Sequence, residues 1–285
     1  MSPYHRPTTL QEALGLLAGP GLCIAAGCTD LFPATGARAL CGPVLDITAI
    51  AALRGIAPEG DYIRLGATTT WADILRADLP AGFDMLRDAA REVGSVQIQT
   101  SGTLAGNICN ASPAADGVPC LLALDAEVEI ASLGATRQVH LGDFITGVRQ
   151  TALRPGEMVT AILIPKAKTG GRSRFIKLGA RTYLVISIAM VAARLEVENG
   201  HVSAAALAVG ACSAVARRLP RQEAALIGTR ADAGLVGRID PTLIVPDLAP
   251  IDDIRAEATY RSGAAVELIR RAVDDLVAGV GKVAA

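Results

Sequence analysis

Residues 97–115, QIQTSGTLAGNICNASPAA, carry no charged side chain and consist mainly of Gly, Asn, Ser, Thr and Ala. So small and polar a stretch lacks the apolar stripe of a helix and the apolar face of a core strand. It reads as one long loop packed against something. A loop of that length needs a reason to be ordered. The apolar Leu104 and Ile108, with Ser112-Pro113, argue against surface disorder. A bound polar cofactor is a reason the composition allows. Small residues let a ligand approach the backbone, while Asn107, Asn110, Ser112 and Asp116 offer hydrogen bonds.

The remaining composition narrows the class. With 285 residues there is chain for about two domains and a sizeable core. Lys and Arg (27) balance Asp and Glu (28), leaving a net charge of −1 and no basic field for a nucleic acid. The longest apolar run, 182–193 (TYLVISIAMVAA), is shorter than the ~20 residues a membrane span requires. MSPYHRPTTLQEALGLLAG has no secretory pattern, so a cytoplasmic location is expected. The six cysteines are scattered without a CxxC pair, and Cys23-x4-Cys28-x12-Cys41 matches no strong metal spacing. His5, His140 and His201 lie far apart. Neither a metal site nor a catalytic histidine is expected.

Three segments emerge: 1–55, 56–168 and 172–285. In the first, Thr8-Thr9-Leu10-Gln11-Glu12 is a capping-box pattern before Leu10, Ala13, Leu14 and Leu17 at helical spacing. Strands are expected at 22–26 and 43–47, with helical turns in 30–38. The second holds strands at 63–67, 127–130 and 158–165 and helices at 70–76 and 85–93. A linker at 166–174 leads to strands at 175–178, 187–197 and 202–209, the last two joined by an Asn199-Gly200 hairpin turn. Helices at 220–227 and 256–277 follow. In the last, Tyr260, Ala264, Leu268, Ala272 and Leu276 step by four as one apolar face. Trp71 and Phe83 read as core residues.

A second candidate site is the turn Ala25-Ala26-Gly27-Cys28-Thr29-Asp30, where a strand feeds a glycine and then a helix start. Free backbone N–H groups there could hold a diphosphate. A plain strand–turn–helix connection with Asp30 as the cap is the alternative. Neither a Rossmann G-x-G-x-x-G nor a Walker A loop is present.

AAGCTDLFP, TSGTLAGNICNASPAADGVPCLLALDAEVEI, FIKLGARTYLVISIAMVAA and AVGACSAVARRL, in this order and separation, resemble the FAD-binding medium subunit of molybdenum hydroxylases, the xanthine dehydrogenase and carbon monoxide dehydrogenase family. The resemblance implies an α+β fold of the vanillyl-alcohol-oxidase (PCMH) type, with two FAD-binding subdomains (1–55 and 56–168) and a C-terminal three-stranded sheet with helices (172–285). It implies non-covalent FAD held by Ala25, Ala26, Gly27, Cys28, Thr29 and Asp30. Thr103, Leu104, Ala105, Gly106, Asn107 and Asn110 would approach the diphosphate and isoalloxazine. Asp116 would bond toward the ribityl or adenosine side as a partly solvated group, Val159 would face the adenine, and Lys177 would orient flavin-side groups. Tyr4 and Tyr183 are aromatic candidates near the flavin.

The family's double glycines stand here as Ala26-Gly27 and Ala105-Gly106, and Cys28 replaces a hydrogen-bonding side chain. No Asp follows Arg181 before the apolar run. The implied role is electron transfer: molybdopterin on a large partner subunit, [2Fe-2S] clusters on a small one, FAD here, then an external acceptor, in a dimer of heterotrimers. No catalytic acid, base or nucleophile is expected in this chain. A self-contained flavin oxidase and a flavin-free scaffold are the rival readings.

Overall fold

The computed structural model describes residues 3–36, 40 and 42–278. They divide into two compact units, 1–77 with 95–111 and 126–165, and 78–94 with 112–125 and 166–285. Helices and mostly antiparallel sheets make both, so the α+β class read from the sequence is the observed one.

In the first unit, β1 (Tyr4–His5), β2 (Cys23–Ala25) and β3 (Val44–Asp46) form a parallel sheet in the order β1-β3-β2. The helix Leu10–Leu17 begins as its sequence dictates. The Thr9 hydroxyl accepts the Glu12 N–H at 3.3 Å, and the Glu12 carboxylate reaches back to the N–H of Thr8, one residue before the cap. Its buried face, Ala13, Leu14 and Leu17, packs with Leu45, Ile47, Ile50 and Leu53. β4 (Ile56–Glu59), β5 (Tyr62–Gly66), β6 (Glu127–Ser132) and β7 (Ala135–His140) belong to a second sheet, beside the small ribbon of β8 (Ile145–Gly147) and β9 (Gln150–Thr151). β10 (Met158–Pro165) is its central strand, in the order β4-β5-β10-β6-β7. Buried on both faces, β10 is apolar apart from Thr160 rather than alternating, and the Thr160 hydroxyl donates to the Glu129 carboxylate at 2.6 Å.

The uncharged stretch is not the long loop its composition predicts. It forms the helices Val96–Ser101 and Leu104–Asn110. Leu104, Ala105 and Ile108 make the buried face of the second, and Thr103 caps it. That burial and the cap offset the roughly 1 kcal/mol a mid-helix Gly106 costs. Ala111, at φ 47°, ends the helix.

The second unit is built on an antiparallel sheet of β11 (Arg172–Leu178), β12 (Ala189–Glu198), β13 (His201–Gly210) and β14 (Arg217–Arg218). The expected sheet had three strands, and the two-residue β14 adds an edge. The expected linker is shorter than read, because 172–174 already pair with β12. Asn199 and Gly200, at φ 49° and 76°, make the expected two-residue turn, with both residues left-handed as a type I′ turn demands. Helices Asp84–Glu92, Gly117–Ala123 and Pro220–Leu226 belong to this unit.

The C-terminal helix Ala258–Ala278 buries Ala265, Val266, Leu268, Ile269, Ala272, Val273, Leu276 and Val277. A strict step of four drifts off this face, since the helix turns every 3.6 residues. Tyr260, expected on it, is 57% exposed. Trp71 and Phe83 are core residues, as expected. Among the described residues no group of three or more metal-ligating side chains occurs, and no helix is long and apolar enough to cross a membrane. Cys41 of the nominal metal spacing lies outside the described residues.

The buried face of the last helix can be tested directly. Ile269→Ala should lower the unfolding free energy by about 2–5 kcal/mol in urea titrations, and Tyr260→Ala by less than about 0.5 kcal/mol. Equal losses would contradict this placement.

Candidate functional site

β2 delivers the chain to Ala26-Gly27-Cys28-Thr29. Cys28 stands at φ 56°, a left-handed conformation rare for a residue with a side chain. A Cβ on Gly27 would lie 2.1 Å from the carbonyl oxygen of Ser101 and 2.8 Å from the Cα of Gly102. A Cβ on Gly102 would in turn lie 3.3 Å from the Thr29 hydroxyl. The two stretches singled out in the sequence therefore meet backbone to backbone, and only glycine fits at Gly27. The backbone N–H groups of Gly27, Cys28 and Thr29 have no acceptor among the described residues. Asp30 makes no side-chain cap bond to the helix Leu31–Ala34, so the capping alternative for this turn fails.

Beside this contact two short helices start together. Thr70 and Thr103 face each other in an antiparallel bridge, and each caps a helix, Trp71–Arg76 and Leu104–Asn110. The Thr103 hydroxyl accepts the Gly106 N–H at 3.0 Å, and the Thr70 hydroxyl accepts the Asp73 N–H at 3.1 Å. The Asp73 carboxylate returns a bond to the Thr70 N–H at 3.0 Å. Because both hydroxyls accept here, each keeps its own O–H to donate. The Ala105 N–H has no acceptor among the described residues. The Asn107 Oδ1 is buried without a hydrogen-bond partner among the described residues, an uncommon state for a buried polar atom.

These elements border a cavity of about 1090 Å³. Ala25, Ala26, Gly27 and Cys28 line one part, and Thr100, Ser101 and Thr103 another. Thr48, Thr68 and Thr70 add hydroxyls, Tyr4 adds an aromatic ring, and Asp46 and Arg54 add charge. Tyr4 is thus at the cavity as one of the two aromatic candidates. Sequence reading missed Asp46, Arg54 and the threonines of β5's exit. A run of three threonines after a strand, Thr68-Thr69-Thr70, was the available signal.

Asp46 is saturated. It accepts from the Thr48 N–H and hydroxyl at 2.8 and 2.7 Å, from Arg6 Nε at 3.2 Å, and from the Tyr4 hydroxyl. Burial opposes its charge, but these bonds prevail and hold the carboxyl below its ordinary range. Burial, with the nearby Asp46 charge, pushes the Cys28 thiol up, so it stays protonated.

The other candidates lie differently. Thr29, Asp30, Leu104, Ala105, Gly106 and Asn107 belong to the same loop and helix but are not among the cavity-lining residues. A Cβ on Gly106 would first meet the capping Thr103 hydroxyl, at 2.7 Å, so a larger residue there acts through the cap. The Asn110 side chain is engaged by Arg149. Val159 is buried in β10, paired with Ile130 of β6. Tyr183 is exposed in the second unit.

Asp116 and Lys177 also belong to the second unit, where they form a buried ion pair at 2.7 Å. The Ser187 hydroxyl donates to the other Asp116 oxygen at 2.7 Å. Burial pushes the Asp116 carboxyl up, against the pull of Lys177 and Ser187. The partly solvated group expected from the sequence is thus a buried one, met by Lys177 of β11 and by Ser187. Its side chain is 7% exposed.

Residues 1–167 match the family model of the FAD binding domain in molybdopterin dehydrogenase, and 174–276 that of the CO dehydrogenase flavoprotein C-terminal domain. The chain belongs to the FAD-binding medium subunits of the molybdenum hydroxylases. It is 31% identical to the carbon monoxide dehydrogenase medium chain of Afipia carboxidovorans and 30% identical to the nicotine 6-hydroxylase medium subunit of Paenarthrobacter nicotinovorans. Each alignment runs over 280 residues and covers 95% of both proteins. A solved chain of reconstituted CO dehydrogenase from Oligotropha carboxidovorans superposes with a TM-score of 0.89 at 29% identity, over 98% of both chains. Neither a self-contained oxidase nor a flavin-free scaffold is favoured by these relatives. For a medium subunit, FAD fits the cavity on three counts. Its volume reaches the upper end of the ~300–1,000 Å³ of ligand sites, the lining residues Gly27 and Cys28 have N–H groups without an acceptor among the described residues, and the helix start at Thr103 next to the cavity carries an unpartnered Ala105 N–H and Asn107 Oδ1 among those residues.

Gly27→Ala should lower both flavin content and stability, the latter by about 1–3 kcal/mol, since the added methyl meets backbone that must move. Gly15→Ala, with open space around it in the first helix, is the control and should be neutral or stabilising by about 0.5–1 kcal/mol. Flavin absorbance per protein and thermal melts would read both. In the second unit, Lys177→Met strands a buried carboxylate and should cost about 3–5 kcal/mol. A loss near 1 kcal/mol in chemical denaturation would return Asp116 to the solvated setting expected from its sequence.

Proposed function

We propose that the chain is the FAD-carrying relay of a multisubunit molybdenum hydroxylase, taking electrons from [2Fe-2S] clusters on a small subunit and passing them to an external acceptor. Substrate oxidation belongs to molybdopterin on a large subunit. The observation that carries this reading is the glycine-only contact of Gly27 with Ser101 beside a hydroxyl-lined cavity with free N–H groups. At this contact, Ala25–Thr29 and the helix start Thr103–Asn107 hold the diphosphate, and Asn107 Oδ1 accepts a donor of the bound cofactor. FAD supplies exchange of electrons singly or in pairs, while the protein binds, orients and shields it.

The same proposal divides the chain into FAD-binding stretches 1–55 and 56–168 and a C-terminal part 172–285, in keeping with family matches that end at 167 and resume at 174. It includes a dimer of heterotrimers and a cytoplasmic setting, where the thiols of Cys23, Cys28, Cys109, Cys120 and Cys212 are free. Acid precipitation of the purified chain should leave yellow FAD in the supernatant, and purification from the native source should bring down a large molybdenum-containing chain and a small iron–sulfur one. Multiple turnovers of an organic substrate by this chain with FAD alone would overturn the relay reading.

A further inference from the structure

The cavity has two charged lining residues among those described, and they are in opposite states. Asp46 is surrounded by donors from Tyr4, Arg6 and Thr48 and has no unmet demand. Arg54 is nearly free. Its one side-chain partner among the described residues is Asp73, at 3.5 Å, and the side chain is 58% exposed. A guanidinium carries five N–H donors in a planar fork, so most of them remain unspent. The Asp73 oxygen that Arg54 approaches is also the one that accepts the Thr70 N–H. Arg54 and Thr70 are thereby held at one point of the cavity wall, with the Thr70 O–H still available to donate.

We propose that Arg54, seconded by the Thr70 hydroxyl, pairs with a phosphate oxygen of the bound dinucleotide and is the cation of this cofactor site. The inference rests on FAD occupying the cavity, and adds an arm outside both glycine-bearing loops. A diphosphate brings two negative charges into a space where Asp46 is already met by Arg6, so among the described lining residues Arg54 is the charge left to offset part of them. The free N–H groups at Gly27–Thr29 supply dipoles, and Arg54 supplies the compensating charge. A planar fork suits a phosphate edge, which a lysine ammonium meets only as a point charge. Asp73 then serves as the anchor that fixes the Arg54 head, and its own charge is held by the capping box rather than by Arg54 alone.

The test is a titration of the flavin-stripped full-length chain with FAD at several NaCl concentrations, for wild type, Arg54→Gln and Arg54→Lys. A wild-type chain that binds no FAD removes the reading of the cavity itself. With wild type binding, Arg54→Gln should weaken FAD about ten- to a hundredfold at low salt and flatten the salt dependence, since a charge pair has been removed. Arg54→Lys should recover part of the affinity and most of the salt dependence. The partly exposed side chain makes both variants foldable, which circular dichroism checks. Wild-type affinity in Arg54→Gln overturns the proposal. So does a weakened variant with the wild-type salt dependence, which would mark a merely structural role.

Discussion

The contact between the backbone at Gly27 and the carbonyl of Ser101 is the constraint from which the site follows. Two segments some 75 positions apart in sequence approach so closely that a single methyl cannot be inserted between them. Beside it, Gly27 and Cys28 line the cavity, and their N–H groups have no acceptor among the described residues. Cys28, bent into a left-handed conformation, carries the chain out of this contact and into the next helix. Residues with φ > 0 and a side chain are costly and persist where the surroundings over-determine them. Here the surroundings are the Gly102–Thr29 contact on one side and the parallel sheet of β1–β3 on the other.

Around that contact the chain spends its polar groups economically. Thr70 and Thr103 each accept a helix-capping bond and retain a proton to donate, and the bridge between them aligns both. Asp46 gathers three neighbours and so contributes structure without leaving a bare negative charge in the cavity. The chain belongs to a family of FAD-carrying medium subunits, in which the redox chemistry is the cofactor's and the protein binds and orients it.

The sequence was most informative where a pattern has one physical cause. Met158–Pro165 is apolar but for Thr160 because both of its faces are covered, and Asn199-Gly200 must turn because both residues tolerate positive φ. The family motifs singled out the two stretches that meet at Gly27 and Ser101. Residues 97–115 misled because helices there are stabilised by tertiary burial of Leu104, Ala105 and Ile108 and by the Thr103 cap, which composition does not register. Asp116 misled for the related reason that its partner Lys177 lies 61 positions away, and pairing over that distance leaves no local signature. Arg54 and Asp46 were invisible as site residues, since an arginine and an aspartate after apolar runs look like ordinary surface charges. Only the fold gathers them around the threonines.

The central claim is that the Gly27 turn and the start of the Leu104–Asn110 helix together hold the cofactor. Hydrogen–deuterium exchange of the full chain with and without FAD reads this at the backbone. The account predicts slowed exchange on FAD addition in peptides covering residues 25–29 and 103–107, where N–H groups at Gly27, Cys28, Thr29 and Ala105 have no acceptor among the described residues. FAD binding that left exchange in both segments unchanged would contradict it.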